Sequence, residues 1–220
     1  MLAWQGFLWS ARLYRPLLSA VKQSFLDTAN HYERLGQGKA QYAAMLAFAA
    51  LEPEETFTIS ELQTATRALP PSGLAETTRA LVRALESAGE RREEYWTHRV
   101  RPYLRRIWPK TRDIASQMIS EQFARLAIGA GEQFPEALAS VLDWLQPLEH
   151  PFYTVHLVCQ AGLSARFPRE ALQLLNAMMD AEAWASSELR ACLEQIREAL
   201  PVVETDERFR RLWLQSRQPR

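Results

Sequence analysis

Two short strings constrain this chain more than any other feature. Phe134-Pro135-Glu136-Ala137-Leu138 and Phe167-Pro168-Arg169-Glu170-Ala171-Leu172 each place an aromatic-Pro pair just ahead of Glu-Ala-Leu. The Phe-Pro pairs lie 33 residues apart and the Glu-Ala-Leu triplets 34 apart. Proline is tolerated at the first helical turn because its missing N–H would be unpaired there anyway. An apolar residue just before the start can staple onto that turn. Each string therefore reads as a helix start, and the interval holds two helices and two connections. Trp108-Pro109 marks an earlier start of the same kind, 26 residues ahead of Phe134.

That interval is the period of stacked helical hairpins. The expected fold is all-α: an irregular helical-hairpin repeat, a TPR-like or HEAT-like α-solenoid, with a multi-helix bundle as the alternative. The strict tetratricopeptide positions of Trp, Gly, Tyr and Ala are absent. Residues 1–107 are expected to form an N-terminal helical subdomain. Residues 108–220 are expected to form a hairpin-repeat subdomain closed by a capping helix. Composition agrees: 47% of the 220 residues are apolar, 24% are charged and only eight are Gly. Ala, Leu, Glu, Arg and Gln favour helix. The best strand candidate, Thr56-Phe57-Thr58-Ile59, is short and reads as the approach to a helix capped by Ser60.

In chain order, the aromatic-rich residues 2–19 predict helix, with Pro16 opening a second piece, and an aromatic face that expects a neighbour. Residues 21–35 predict an amphipathic helix ended by Gly36 and Gly38. Residues 39–51 are apolar nearly all round and predict a central, closely packed helix. Leu69-Pro70-Pro71-Ser72-Gly73 is a break, followed by a helix over 74–88. A helix over about 91–107 should kink or split at Pro102. Later helices are predicted at 111–129, 135–146, 151–165, 168–180 and 187–200. The last is capped by Ser186 or Ser187, and a closing helix starts at Asp206.

Residues 91–112 carry seven Arg, Lys110, Tyr95, Trp96, Tyr103 and Trp108, against only Glu93 and Glu94. The formal charge of the whole chain is zero, so this patch is local. The aromatics are expected to pack inward while the basic side chains run over the surface and pair with Glu86, Glu90, Glu93 and Glu94. Arg91, Arg92, Arg99, Arg101, Arg105, Arg106 and Lys110 are the candidate interaction surface, for a protein partner first and nucleic acid second.

No motif for chemistry is met. His150, His156 and Cys159 cluster in sequence without a fourth zinc ligand. They read as a capping His and two core residues. Gly36-Gln37-Gly38-Lys39 lacks the spacing and the strand of a phosphate loop, and no GxSxG occurs. The expectation is therefore no enzyme, no cofactor and no metal. Cys159 and Cys192, far apart and outside any CxxC, read as buried thiols in a reducing compartment. No apolar run is long enough to span a membrane, and the N-terminus lacks the basic lead of a signal peptide. Cytoplasm is the expected location.

Tyr95-Trp96, Ile107-Trp108-Pro109, Phe134-Pro135-Glu136-Ala137, Leu172-Gln173-Leu174-Leu175 and Asp206-Glu207-Arg208-Phe209 together resemble the C-terminal helical region of large bacterial defence-type proteins. Those chains begin with a sirtuin-like NADase domain or a nucleotide-binding ATPase domain. The resemblance spans most of the chain and implies a sensing or scaffolding arm of an effector. No glycine loop of either effector type occurs here.

Overall fold

A computed structural model describes residues 15–40, 42, 43, 46, 57–110, 116–180 and 186–217. Among them every regular element is helical and there is no strand, so the fold is all-α. The chain divides into two compact units, Met1–Leu81 with Thr97–Thr111, and Val82–Trp96 with Arg112–Arg220. The chain passes between the units at 81/82, 96/97 and 111/112. The crossing at 81/82 falls inside a continuous helix, where nothing in the sequence marks it.

In the first unit, α1 (Arg15–Ala29) runs straight through Pro16 and ends before the expected stop. A 3-10 segment, Tyr32–Gly38, follows and kinks at Gly36, whose positive φ of 53° suits glycine. α2 (Ile59–Ala68) is capped by Thr58, not by Ser60. Thr58 Oγ1 accepts from Glu61 N–H, and the Glu61 carboxylate accepts from Thr58 N–H at 2.8 Å. This reciprocal box satisfies two donors that the helix leaves open. Lys22 reaches the same carboxylate at 2.8 Å. Burial alone would raise the Glu61 pKa, but the bonds from Lys22 and Thr58 hold it below the usual range.

α3 (Pro71–Ser87) starts earlier than expected because Pro71 sits within its first turn. Gly73 is needed there: a Cβ would lie 3.1 Å from the Tyr32 ring. Phe25, Tyr42 and Phe57 form an aromatic core, with ring centroids 4.8 and 5.3 Å from Phe25. The Tyr42 hydroxyl donates to the Phe25 carbonyl at 2.9 Å. Tyr42, Ala43 and Leu46 are buried, in keeping with a central segment. The rest of 39–51, and all of 2–14, lie outside the described residues.

Tyr32 packs against Gly73 and Tyr42 with its hydroxyl buried and unpartnered among the described residues. Burial, then the fields of Glu76 and Glu33, push its pKa up to about 12. The folded protein therefore holds the proton more tightly than the unfolded chain, whose Tyr titrates near 10. Stability from this group is intact below pH 10 and is lost as pH rises toward 12. Tyr32→Phe is expected to flatten part of the stability loss over that interval in urea titrations. It should leave neutral-pH stability equal or slightly higher, because an orphaned buried hydroxyl is removed.

The expected break at Pro102 takes a specific form. After α4 (Arg92–Tyr95) the chain widens into one π turn, Trp96–Val100, and then enters α5 (Arg101–Arg106). A proline ring collides with the carbonyl four residues earlier and offers it no N–H, so the wider turn accommodates Pro102 without ending the helical path. Trp96, Tyr103 and Trp108 are buried, as expected.

In the second unit, α6 (Gln117–Gly129), α8 (Phe152–Gln160) and α11 (Ser187–Ala199) begin in two equal steps of 35 residues. Ser116 and Ser186 cap the first and last by accepting from Ile119 and Leu189 N–H. α7 (Phe134–Val141), α10 (Pro168–Met178) and α12 (Glu207–Gln215) are the second helices of three successive hairpins. First helices pack on first helices, α6 on α8 and α8 on α11. Second helices pack likewise, α7 on α10 and α10 on α12. The Phe-Pro strings start adjacent second helices, and their rings meet, Phe134 to Phe167 at 5.9 Å. Ala137, Leu138, Ala171 and Leu172 are all buried, which explains why the string recurs.

The helix expected over 151–165 is broken. Gly162 takes φ 63° after α8, and a short α9 (Leu163–Arg166) turns the chain toward α10. Loops are tied to the stack: the Ser120 hydroxyl donates to Gln146 O and accepts from Gln146 N–H, each at 2.9 Å.

Candidate interaction surface

The seven candidate residues do not share one unit. Arg91 and Arg92 belong to the second unit, and Arg99, Arg101, Arg105, Arg106 and Lys110 to the first. Arg91, Arg105, Arg106 and Lys110 are exposed, and Arg92, Arg99 and Arg101 are half-buried. Arg99, Arg101 and Arg105 each have an interaction partner. Lys110 Nζ donates to the Leu104 carbonyl at 3.0 Å, and the Arg106 carbonyl accepts from Gln63 Nε2 at 2.5 Å. Both bonds hold the end of α5 and the segment after it within their own unit.

The expected pairing with neighbouring acids is not what forms. Glu86 pairs with Arg125 at 3.2 Å, from a helix 39 residues on. Glu90, Glu93 and Glu94 make no ion pair among the described residues, and neither do Arg91, Arg92 or Arg106. The physical reason is exposure: adjacent solvated charges gain little by pairing, whereas half-buried Arg125 gains more. The guanidinium of Arg125 also lies 5.4 Å from the Tyr153 ring centroid.

A second surface was not foreseen. Met118, Phe152 and Tyr153 are exposed by 49, 41 and 54%, at the N-terminal ends of α6 and α8. Met118 and Tyr153 occupy the same place in successive hairpins, second in α6 and second in α8. Phe152 is the first residue of α8, and periodicity alone does not place a helix rotation at its first residue.

No group of His, Cys, Asp and Glu that could hold a metal occurs among the described residues. His150 and His156 are exposed, so His156 is not the core residue expected. In the first unit a cleft of about 220 Å³ between α1 and α2 is lined by Asp27, Asn30, Ser60, Glu61 and Thr64. Glu61 is already committed to Thr58 and Lys22 there. No helix among the described residues is long and apolar enough to cross a membrane.

No family model matches the sequence. No solved structure matches it either. A stretch of 132 residues, 59% of this chain, is 29% identical to "Uncharacterized protein y4cA" of Sinorhizobium fredii (strain NBRC 101917 / NGR234). That stretch spans only 11% of the length of the relative.

Proposed function

We propose that this chain is a non-enzymatic helical-repeat interaction module, a sensing or scaffolding arm that docks a protein partner or an effector domain in bacterial anti-phage defence. One observation carries the reading. The second unit lays three hairpins in register, and the repeat presents large apolar side chains to solvent at matched places, Met118 and Tyr153, with Phe152 beside them. Exposed aromatics at a repeat edge fit recognition of another protein. The similarity to a small part of a much longer protein supports a modular role.

The basic side chains Arg91, Arg92, Arg99, Arg101, Arg105, Arg106 and Lys110 would serve as a flanking surface. The exposure of Arg105, Arg106 and Lys110 on one unit favours a second reading, a nucleic-acid-binding scaffold.

The test is a pull-down from the native host with wild type, Phe152→Glu/Tyr153→Glu and Arg105→Glu/Arg106→Glu. The aromatic pair is expected to lose a specific protein partner that wild type retains. An identical partner list for all three would sink the docking reading. Labelled DNA and RNA, titrated at low and high salt, decide the second reading: binding that weakens steeply with salt and is lost in Arg105→Glu/Arg106→Glu supports it, and no binding at low salt removes it.

A further inference from the structure

Away from the surfaces above, three observations meet where α8 packs on α11. The buried Cys192 thiol, on α11, donates to the Val155 carbonyl oxygen of α8 at 3.9 Å. In a helix the carbonyl of residue i points toward residue i+4, and a small polar side chain there folds back onto it. Thr28 does so to Ser24, and Thr66 to Leu62, each at 2.7 Å. Cys159 holds that i+4 place relative to Val155. It therefore follows Val155 by one turn on the same face of α8, the face that the Cys192 thiol meets. The third observation is Ser164 on α9. It is wholly buried on a helix that packs against α11, and its hydroxyl has no hydrogen-bond partner among the described residues.

The geometry points to Cys159 and Cys192 as an oxidation site, a thiol pair that a hydroperoxide converts into an intramolecular disulfide joining α8 to α11. Cys159 is half-buried and meets the oxidant first. Its thiolate attacks a peroxide oxygen, the O–O bond breaks, an S–O bond forms, and the leaving oxygen departs as water after taking a proton. The Cys192 sulfur then attacks the sulfenic sulfur of Cys159. The S–S bond forms, the S–O bond breaks, and the departing hydroxide leaves as water with the Cys192 proton. Two thiols and one hydrogen peroxide give one disulfide and two waters. Burial pushes the Cys192 thiol up to about 12, so it reacts as the protonated thiol and gives its proton to the departing oxygen.

The experiment treats the intact chain with graded hydrogen peroxide, unfolds it in alkylating agent and reads mass and linked peptides. Both thiols should disappear together with loss of two hydrogens, a Cys159–Cys192 cross-linked peptide should appear, and dithiothreitol should reverse it. Cys192→Ser should leave a dimedone-reactive sulfenic acid on Cys159, and Cys159→Ser should leave Cys192 reduced at the same dose. The proposal is overturned if wild-type Cys159 proceeds to sulfinic acid while Cys192 stays free. It is equally overturned if the disulfide forms only between two copies, or if neither thiol reacts in the folded protein.

Discussion

Phe134→Ala is expected to destabilise the second unit by about 3–5 kcal/mol, the usual cost of emptying a fully buried aromatic site. Phe134 is 0% exposed and its ring meets Phe167 across adjacent second helices. The ring, at the first position of α7, fills the seam between α7 and α10. Truncation to Ala leaves a cavity bordered by helices that are pinned elsewhere, so collapse into the space is limited. Hydrogen exchange over 134–141 and 168–178 reads the loss where it occurs, which matters because two units need not unfold together. Phe152→Ala, at 41% exposure on α8, is the matched control and should change stability by no more than about 0.5 kcal/mol. A Phe134→Ala effect below about 1 kcal/mol would show that the Phe-Pro seam does not hold the hairpins together.

The same seam explains what was legible in the sequence. Phe134-Pro135 and Phe167-Pro168 combine a local signal, proline in a first turn, with a tertiary one, an aromatic that must be buried. Where both requirements fall on the same residues, as also at the Ser186 and Asp206 caps, sequence and structure coincide. Where competing local signals existed, the choice lay in contacts not visible along the chain. Thr58 outcompetes Ser60 because Glu61 stands three residues after Thr58 and closes the capping box. Pro71 joins α3 because Gly73 lets the helix approach the Tyr32 ring. Gly162 breaks the 151–165 helix although its flanks keep helical periodicity.

The candidate surface was less legible than the fold. A run of charge along the chain says which residues are basic but not which unit each one faces, and residues 91–112 are divided between two. Nor does linear spacing show that Cys159 and Cys192 are neighbours. One hairpin period separates α8 from α11, and that period sets the Cys192 thiol against the Val155 carbonyl, one turn from Cys159. The matched exposure of Met118 and Tyr153 carries the same lesson: in a repeat, positions one period apart share a face.

Leu212→Ala is expected to cost about 2–5 kcal/mol and to loosen the C-terminal end of the stack first. α12 is the last helix of the unit, and it packs on α10 and α11. Leu212 is 0% exposed, and Phe209 is also buried. The polar fastening lies around them. Arg211 donates to Asn176 Oδ1 at 2.9 Å, and Gln215 Nε2 donates to the Asp180 carbonyl at 2.9 Å. The guanidinium groups of Arg197 and Arg217 each lie 4.9 Å from the Trp213 ring centroid. These contacts orient α12 but are partly exposed, so apolar burial at Leu212 should dominate the energy. Leu214 tests that ranking within the same helix, because at 66% exposure Leu214→Ala should stay within about 0.5 kcal/mol of wild type. In Leu212→Ala, amide exchange should rise over 207–215 and 187–199 before it rises over 117–129, since a terminal hairpin in a stack leans only on its nearest neighbour. Equal acceleration in all three segments would mean that the unit unfolds as one cooperative block and that α12 is not a separable cap.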